Sequence, residues 1–465
     1  MQKENPLGSA PVSKLMFKFA VPSIIGMLVG SLYNIVDQLF IGHAVGINGN
    51  AATNVAFPLS TCCIALALLF GIGGASNFNL ALGRGEKEKA NHFVGNALFM
   101  LIASGIILCL VTQIFLEPML ITFGASDGGS GSTLDYAMSY VRITAIGFPF
   151  LLLTTGGGHL MRADGSPRMT MISNLSGAII NTVLDALFVL VFKWGMEGAA
   201  LATIIGQIFS ACLVLNYMRK FKTAPLEKKH FKIKMQYLGP IMAIGMGSFF
   251  NQLAIMLVQI VLNNSLKFYG ALSHYGKDIP IAAAGIVMKV SQIFFSVVIG
   301  IAQGTQPIES FNYGARNYKR VREAYKMACI AGGVVSMTSF LMFQIFPRQM
   351  LAAFGDSTPE YLEFGTKYFR VFLFFTCLNF LQPITSTFFT SIGKSIKGVF
   401  LSLTRQILFL IPLLLILPRF FGIDGVVYAG PISDIVASAT AVGMVLFEFK
   451  LMSKMEREDV ACLKQ

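Results

Sequence analysis

The chain has 465 residues, of which 54% are hydrophobic and only 13% charged, and its mean hydropathy is +0.66. A soluble domain averages about 25% charged residues, so the composition excludes an ordinary water-soluble fold and implies one built for lipid. The formal net charge of +13 does not point to nucleic acid, because the basic residues lie in short loops between apolar runs.

Taken in chain order, the apolar runs predict twelve membrane-spanning helices, at about 15–42, 51–81, 92–117, 135–160, 168–193, 197–218, 237–267, 279–311, 324–346, 362–390, 397–419 and 423–449. The first is too long for a signal-peptide core, and no small-residue cleavage site follows it. It contains Pro22, which removes one backbone hydrogen bond and bends a helix. Near its far end, in GSLYNIVDQLFIG (Gly30–Gly42), stands a carboxylate, Asp37. An aspartate at the centre of a membrane helix costs roughly 2.5–3.5 kcal/mol, so it marks an ion or substrate path unless it snorkels to the interface. Asn34 is three residues before Asp37 and four before Gln38, which puts amide and carboxylate on one helical face.

Counting loops on alternate sides gives 26 basic residues on the side of the termini and five on the other, so both ends are expected in the cytoplasm of a multi-pass plasma-membrane protein. Six of the seven cysteines fall inside apolar runs and read as small buried hydrophobes, with no disulfide framework or metal-ligand spacing.

The longest loop is basic and lies at the midpoint. It divides the chain into a six-helix bundle over 1–218, a linker over 219–236 and a second bundle with a short tail over 237–465. The halves resemble each other. GSLYN at 30–34 recurs as GSFFN at 247–251, MLITFGAS at 119–126 as MLAAFGDS at 350–357, and YVR at 140–142 as YFR at 368–370. GMEGAALATII at 195–205 recurs as GIDGVVYAGPI at 422–432, in preserved order and at a nearly constant offset. An even number of spans per repeat starts both on the same side. The expected fold is therefore an all-α membrane protein, twelve transmembrane helices in two parallel six-helix repeats related by a pseudo-two-fold axis along the membrane normal.

Depth can be read from about 1.5 Å of rise per residue. Asp37, Asn181, Asp185 and Thr203 all fall at a similar depth in the outer half of the first bundle, and Asn181 is one turn from Asp185. Two carboxylates, an amide and a hydroxyl suit a Na⁺-sized cation or two acids sharing a proton. The alternative is that Arg142 in the fourth span neutralises one of them as a structural bridge. The second half has no acidic counterpart at these positions and holds Lys289, Arg405 and Asp434 instead, expected to form a structural charge cluster; otherwise Lys289 faces a cavity. Gln303 and Gln306 are candidate cavity groups or simple interhelical glue. The five histidines are scattered, and GGGH at 156–159 is preceded by no strand and followed by no Lys-Ser/Thr, so no enzyme or nucleotide site is expected.

The two six-span repeats, Asp37, Asn181 with Asp185, and GIAQGTQPIESFNYGA at 300–315 resemble the MATE (multidrug and toxic compound extrusion) family over essentially the whole chain. The resemblance implies two six-helix lobes around a cavity that opens alternately to each side, and antiport of Na⁺ or H⁺ against organic, often cationic, small molecules, with no cofactor. It implies a coupling site at Asp37, Asn181, Asp185 and Thr203 with Tyr140 beside them, and a bend of the first helix at Pro22. Relatives with a second-lobe Na⁺ site carry a glutamate where this chain has Asn251, so that second site is not expected. A related flippase of lipid-linked or amphiphilic precursors is the alternative function. The expected partners are the bilayer and small organic substrates, the expected state a monomer.

Overall fold

The computed structural model describes residues 5–45, 47–123, 125, 132–223, 225–276, 278–352 and 358–462. The FGAS and FGDS ends of one repeat pair fall largely outside them, as do Lys3, Lys277 and Lys464 of the charge count and the side chain of Gln38. The described chain is nearly all helical and contains no strand. Among the described residues, twelve helices are long and apolar enough to cross a membrane: Val12–Asp37, Ala51–Gly83, Lys87–Ile114, Thr133–Ala163, Pro167–Val191, Gly195–Arg219, Met235–Ala271, Asp278–Gly314, Tyr318–Ile345, Pro359–Ser391, Ser395–Phe421 and Ile423–Glu458. The first continues as helix to Val45, with Pro22 buried inside it.

By packing, the chain falls into two compact units. One comprises Val21–Gln252; the other joins Met1–Ala20 to Leu253–Gln465. The divisions lie inside the first and seventh helices and not in the midpoint loop.

In the Val21–Gln252 unit, Phe78, Leu101, Leu120 and Leu152 are among the largest fully buried side chains. Gly245 of the seventh helix belongs here because nothing larger fits: a Cβ on it would lie 1.8 Å from the Leu69 carbonyl oxygen. The fifth and sixth spans close on each other through small residues. Ser173 Oγ donates to the Ser210 carbonyl at 3.0 Å and Ser210 Oγ returns a bond to the Ser173 carbonyl at 2.8 Å. One turn on, a Cβ at Gly177 would meet Ser210 Oγ at 2.0 Å, and one at Gly206 would meet the Gly177 carbonyl at 2.7 Å.

The stretch 219–236 is pinned to this unit at two places. The buried Asp164 carboxylate accepts from the backbone N–H of Lys222 (2.7 Å) and of Thr223 (2.9 Å), from the Tyr217 hydroxyl (2.7 Å) and from the Thr223 hydroxyl. Asn96 donates to the carbonyls of His230 (3.1 Å) and Lys232 (3.2 Å) and accepts from the Lys234 N–H (3.1 Å).

In the other unit the core is aromatic, with Phe343, Phe364, Tyr368, Phe369, Phe388 and Phe389 fully buried. The N-terminal turn Pro6–Ser9, capped by Asn5 Oδ1 on the Leu7 N–H (3.1 Å), docks on the end of the eighth span. Asn312 Nδ2 donates to the Leu7 carbonyl (2.9 Å), and Arg320 donates to Leu7 (3.2 Å), to Ala10 (2.5 Å) and to Asn312 Oδ1 (3.1 Å). The QPIESFNYG stretch thus has a structural task, holding the start of the chain.

The duplication is visible inside each unit. Gln113 donates to the Arg142 carbonyl at 2.7 Å, and its counterpart Gln344 donates to the Arg370 carbonyl at 2.9 Å. Gly165 and Gly393 turn with φ +79 and +78, and Gly195 and Gly422 with φ +56 and +58.

Candidate functional site

Four helices of the Val21–Gln252 unit bring polar groups to one place. The first helix contributes Asp37 and, one turn earlier, Tyr33; the fourth contributes Tyr140; the fifth Asn181 and Asp185; the sixth Thr203. The small-residue packing of the fifth and sixth spans ends at this point. Asn181 Nδ2 donates to Thr203 Oγ1 at 3.3 Å, and the Thr203 hydroxyl donates to the Ala199 carbonyl at 3.0 Å. Asp185, Asn181 and Thr203 are buried, with Asp185 fully enclosed. Immediately after Asp185 the helix widens into a π-helical stretch, Ala186–Val191, a form that recurs at functional sites.

The Asp37 and Asp185 carboxyl groups lie within hydrogen-bonding reach of each other. Tyr33 and Tyr140 both lie within reach of the Thr203 hydroxyl and in the field of both carboxylates. Among the described residues, four oxygens here have no hydrogen-bond partner: Asp37 Oδ1, Asn181 Oδ1 and both carboxylate oxygens of Asp185. Buried acceptors are normally satisfied, and such a group of exceptions asks for an explanation. No described basic residue pairs with either aspartate. Arg142 is exposed, and its backbone carbonyl accepts from Gln113. A set of unpaired hard oxygens on two carboxylates and an amide can coordinate a small cation, or it can be relieved by a proton shared between the acids.

Other residues singled out in the sequence lie elsewhere. Asn34 is exposed and donates to the Gly30 carbonyl of its own helix (2.9 Å), so it does not join Asp37. Asn251 is half-buried in the seventh helix. In the other unit, Arg405 Nε donates to Asp434 Oδ1 at 2.6 Å, with Asn379 within reach of the same carboxylate and Tyr368 beside the guanidinium. Lys289 stands apart: it is exposed and makes no ion pair with a described residue. Gln303 is half-buried with Oε1 unpartnered, and Gln306 is buried.

Tyr33 was not among the residues picked from sequence. Its signal was available, since it stands four residues before Asp37 and so on the same helical face.

Among the described residues one group has ligand atoms close enough together to hold a metal ion: Glu88, His92 and His230, within 4.8 Å of one another. Its hydrogen bonding argues for a different role. His230 Nδ1 accepts the Glu227 N–H at 2.9 Å, which leaves the ring proton on Nε2, directed at Glu88 Oε1 3.2 Å away. A metal ligand normally donates through its other nitrogen, and His230 cannot.

The family model described as MatE matches residues 22–187 and 248–416. The multidrug export protein MepA of Staphylococcus aureus (strain MSSA476) is 25% identical over 437 residues, covering 94% of each chain. MepA of Staphylococcus haemolyticus (strain JCSC1435) is 24% identical over 435 residues, 93% of each. Among solved structures, an outward-facing multidrug resistance MATE family transporter of the MOP superfamily superposes with a TM-score of 0.89, at 21% identity, over 97% of this chain and 99% of its own. A MOP superfamily transporter from Pyrococcus furiosus gives the same TM-score at 20% identity and the same coverage.

Proposed function

The chain belongs to the MatE family and is a multidrug efflux transporter, not an enzyme, and we propose that it antiports organic, often cationic, compounds against Na⁺ or H⁺ by alternating access in the plasma membrane. The observation that carries the coupling part is the convergence of four oxygens on Asp37, Asn181 and Asp185 that have no hydrogen-bond partner and no basic residue to offset them among the described residues.

Two like charges in a poorly hydrated helix bundle cannot both persist without compensation. Na⁺ held among these oxygens, or a proton shared between the carboxyls, removes the conflict. In the outward-open state the ion enters and neutralises the pair. The first helix, which carries Tyr33 and Asp37, then repacks about Pro22, where a backbone hydrogen bond is already missing. The cavity loses its affinity for a cationic compound, which leaves outward, and the ion departs on the other side when the cavity reopens there. An ion drives such a cycle only by binding one state better than the other, and a full reversal of populations needs about 5.5 kcal/mol of difference. In the other unit Arg405 and Asp434 neutralise each other, so this pair does not repeat the arrangement, and the coupling site proposed here belongs to the Val21–Gln252 unit.

The test is efflux from proteoliposomes under an imposed pH gradient or an imposed Na⁺ gradient; the gradient that supports transport identifies the ion. Asp37→Asn imitates the neutral form and should give a folded, membrane-inserted protein without gradient-driven efflux. Asp185→Asn should behave alike, and the double variant should be scarcely worse than either, because the two groups act as one unit. Near-normal gradient-driven efflux by Asp37→Asn would overturn this reading.

A further inference from the structure

Another buried carboxyl group, Glu309 in the eighth span, belongs to the other unit and plays no part in the cycle above. It is 2% exposed and five residues from the end of its helix at Gly314, hence about 7.5 Å from that end along the axis. No ion pair joins it to a cation among the described residues. On the tenth span it meets the Ser391 hydroxyl, within hydrogen-bonding reach. On the ninth it faces Tyr325 and Cys329; the Tyr325 hydroxyl is already bonded to Thr385 Oγ1 at 2.8 Å. The Pro6–Ser9 turn contributes no titratable group.

The described cations of the helices around it are engaged elsewhere or exposed. Arg320 is spent on Asn312 and on the Leu7 and Ala10 carbonyls. Lys394 and Lys397 both pair with the fully buried Glu448, the latter at 2.8 Å. Arg322 pairs with Glu456 at 2.6 Å. Lys14, Lys18, Lys319 and Lys326 are exposed. Glu448 shows what this unit does with a carboxylate meant to stay charged: it receives two lysines. Glu309 meets a hydroxyl, that of Ser391, which itself donates to the Thr387 carbonyl at 2.7 Å.

We propose that Glu309 is a proton-binding site of the Leu253–Gln465 unit, separate from the Asp37–Asp185 pair, which holds its proton while the eighth, ninth and tenth helices are packed and exchanges it with water when they part. Burying an unpaired carboxylate costs far more than burying the neutral acid, whose O–H can be donated to the Ser391 oxygen. A metal cation is the poorer occupant. One carboxyl and one hydroxyl offer far fewer oxygens than the roughly six to eight that a hard ion such as Ca²⁺ gathers. The step is a simple transfer: the Glu309 O–H bond breaks, the proton passes to water and the carboxylate that remains is solvated, or the reverse. This site rests on the geometry of its own unit and not on the coupling reading, so either can fail alone.

Infrared spectroscopy of the full-length protein in lipid tests it. The expected result is a protonated-carboxyl C=O band at neutral pH that shifts on ¹³C-glutamate labelling, survives in Asp37→Asn/Asp185→Asn and is lost in Glu309→Gln. Its downshift on transfer to D₂O should be slow in the resting protein and faster during transport. No glutamate-derived protonated band in the wild-type protein would overturn the site, a result that needs no variant to fold. A band that persists in Glu309→Gln would overturn the assignment, and a deuterium shift equally fast at rest and in transport would overturn the gated exchange.

Discussion

Arg405 and Asp434 show how a charge is carried inside an apolar unit. The Asp434 side chain is fully enclosed and Arg405 is 20% exposed, with Nε 2.6 Å from Oδ1. Removing one partner leaves a buried charge uncompensated, at a cost of about 3–5 kcal/mol, whereas replacing both by apolar groups of similar volume is close to neutral. Arg405→Met should therefore lower the thermal unfolding midpoint of the purified protein by several degrees, and Arg405→Met/Asp434→Leu should recover most of the loss. A single variant as stable as the wild type would show that the pair contributes nothing. The contrast with Asp37 and Asp185 is instructive: those carboxylates have each other and no described cation, which is a poor way to build stability and a good way to build a site that responds to an ion.

The loop between the sixth and seventh helices illustrates what local composition conceals. Its lysines and lack of apolar periodicity describe a solvated linker, yet Asp164, in the turn between the fourth and fifth helices, gathers four donors from it and from Tyr217. Burial pushes the Asp164 pKa up, and the donors from Thr223, Tyr217 and Lys222 offset that only in part. A carboxyl group whose pKa is raised by folding binds its proton more firmly in the native state than in the unfolded chain. Its contribution to stability therefore falls as pH rises from the ordinary carboxylate range through the raised value. Asp164→Asn cannot titrate, so the difference in unfolding midpoint between wild type and variant should change across that window and be flat above it. A difference that is constant throughout would show that Asp164 does not titrate there.

Across the molecule, the duplication has been kept where it serves the backbone and lost where it serves charge. The Gln113 and Gln344 bonds and the paired turn glycines repeat almost unchanged. Tyr140 and Tyr368 occupy matching positions, but the first lies among two carboxylates and the second beside an arginine. The excess of basic residues in alternate loops leads us to propose that both termini face the cytoplasm. Protease sites appended to each end should be cut in inside-out vesicles and protected in intact cells; protection of either end in inside-out vesicles would refute that topology.

Sequence alone determined the twelve spans, the duplication and the depth of the polar residues, because length, hydropathy and 1.5 Å of rise per residue are properties read along the chain. Which polar groups meet was decided only by tertiary packing, because the rotation of each helix about its axis depends on its neighbours. The Ser173–Ser210 and Gly177–Gly206 approach sets Asn181 against Thr203, and the π-helical stretch after Asp185 alters the register beyond it. The same rotations brought Tyr33 to the site, left Asn34, Arg142 and Lys289 exposed and enclosed Glu309 without a described cation. In an apolar chain every helical face is hydrophobic enough to be buried, so the pattern of residues does not name the inward face. Small-residue contacts and the few unavoidable polar pairings choose it.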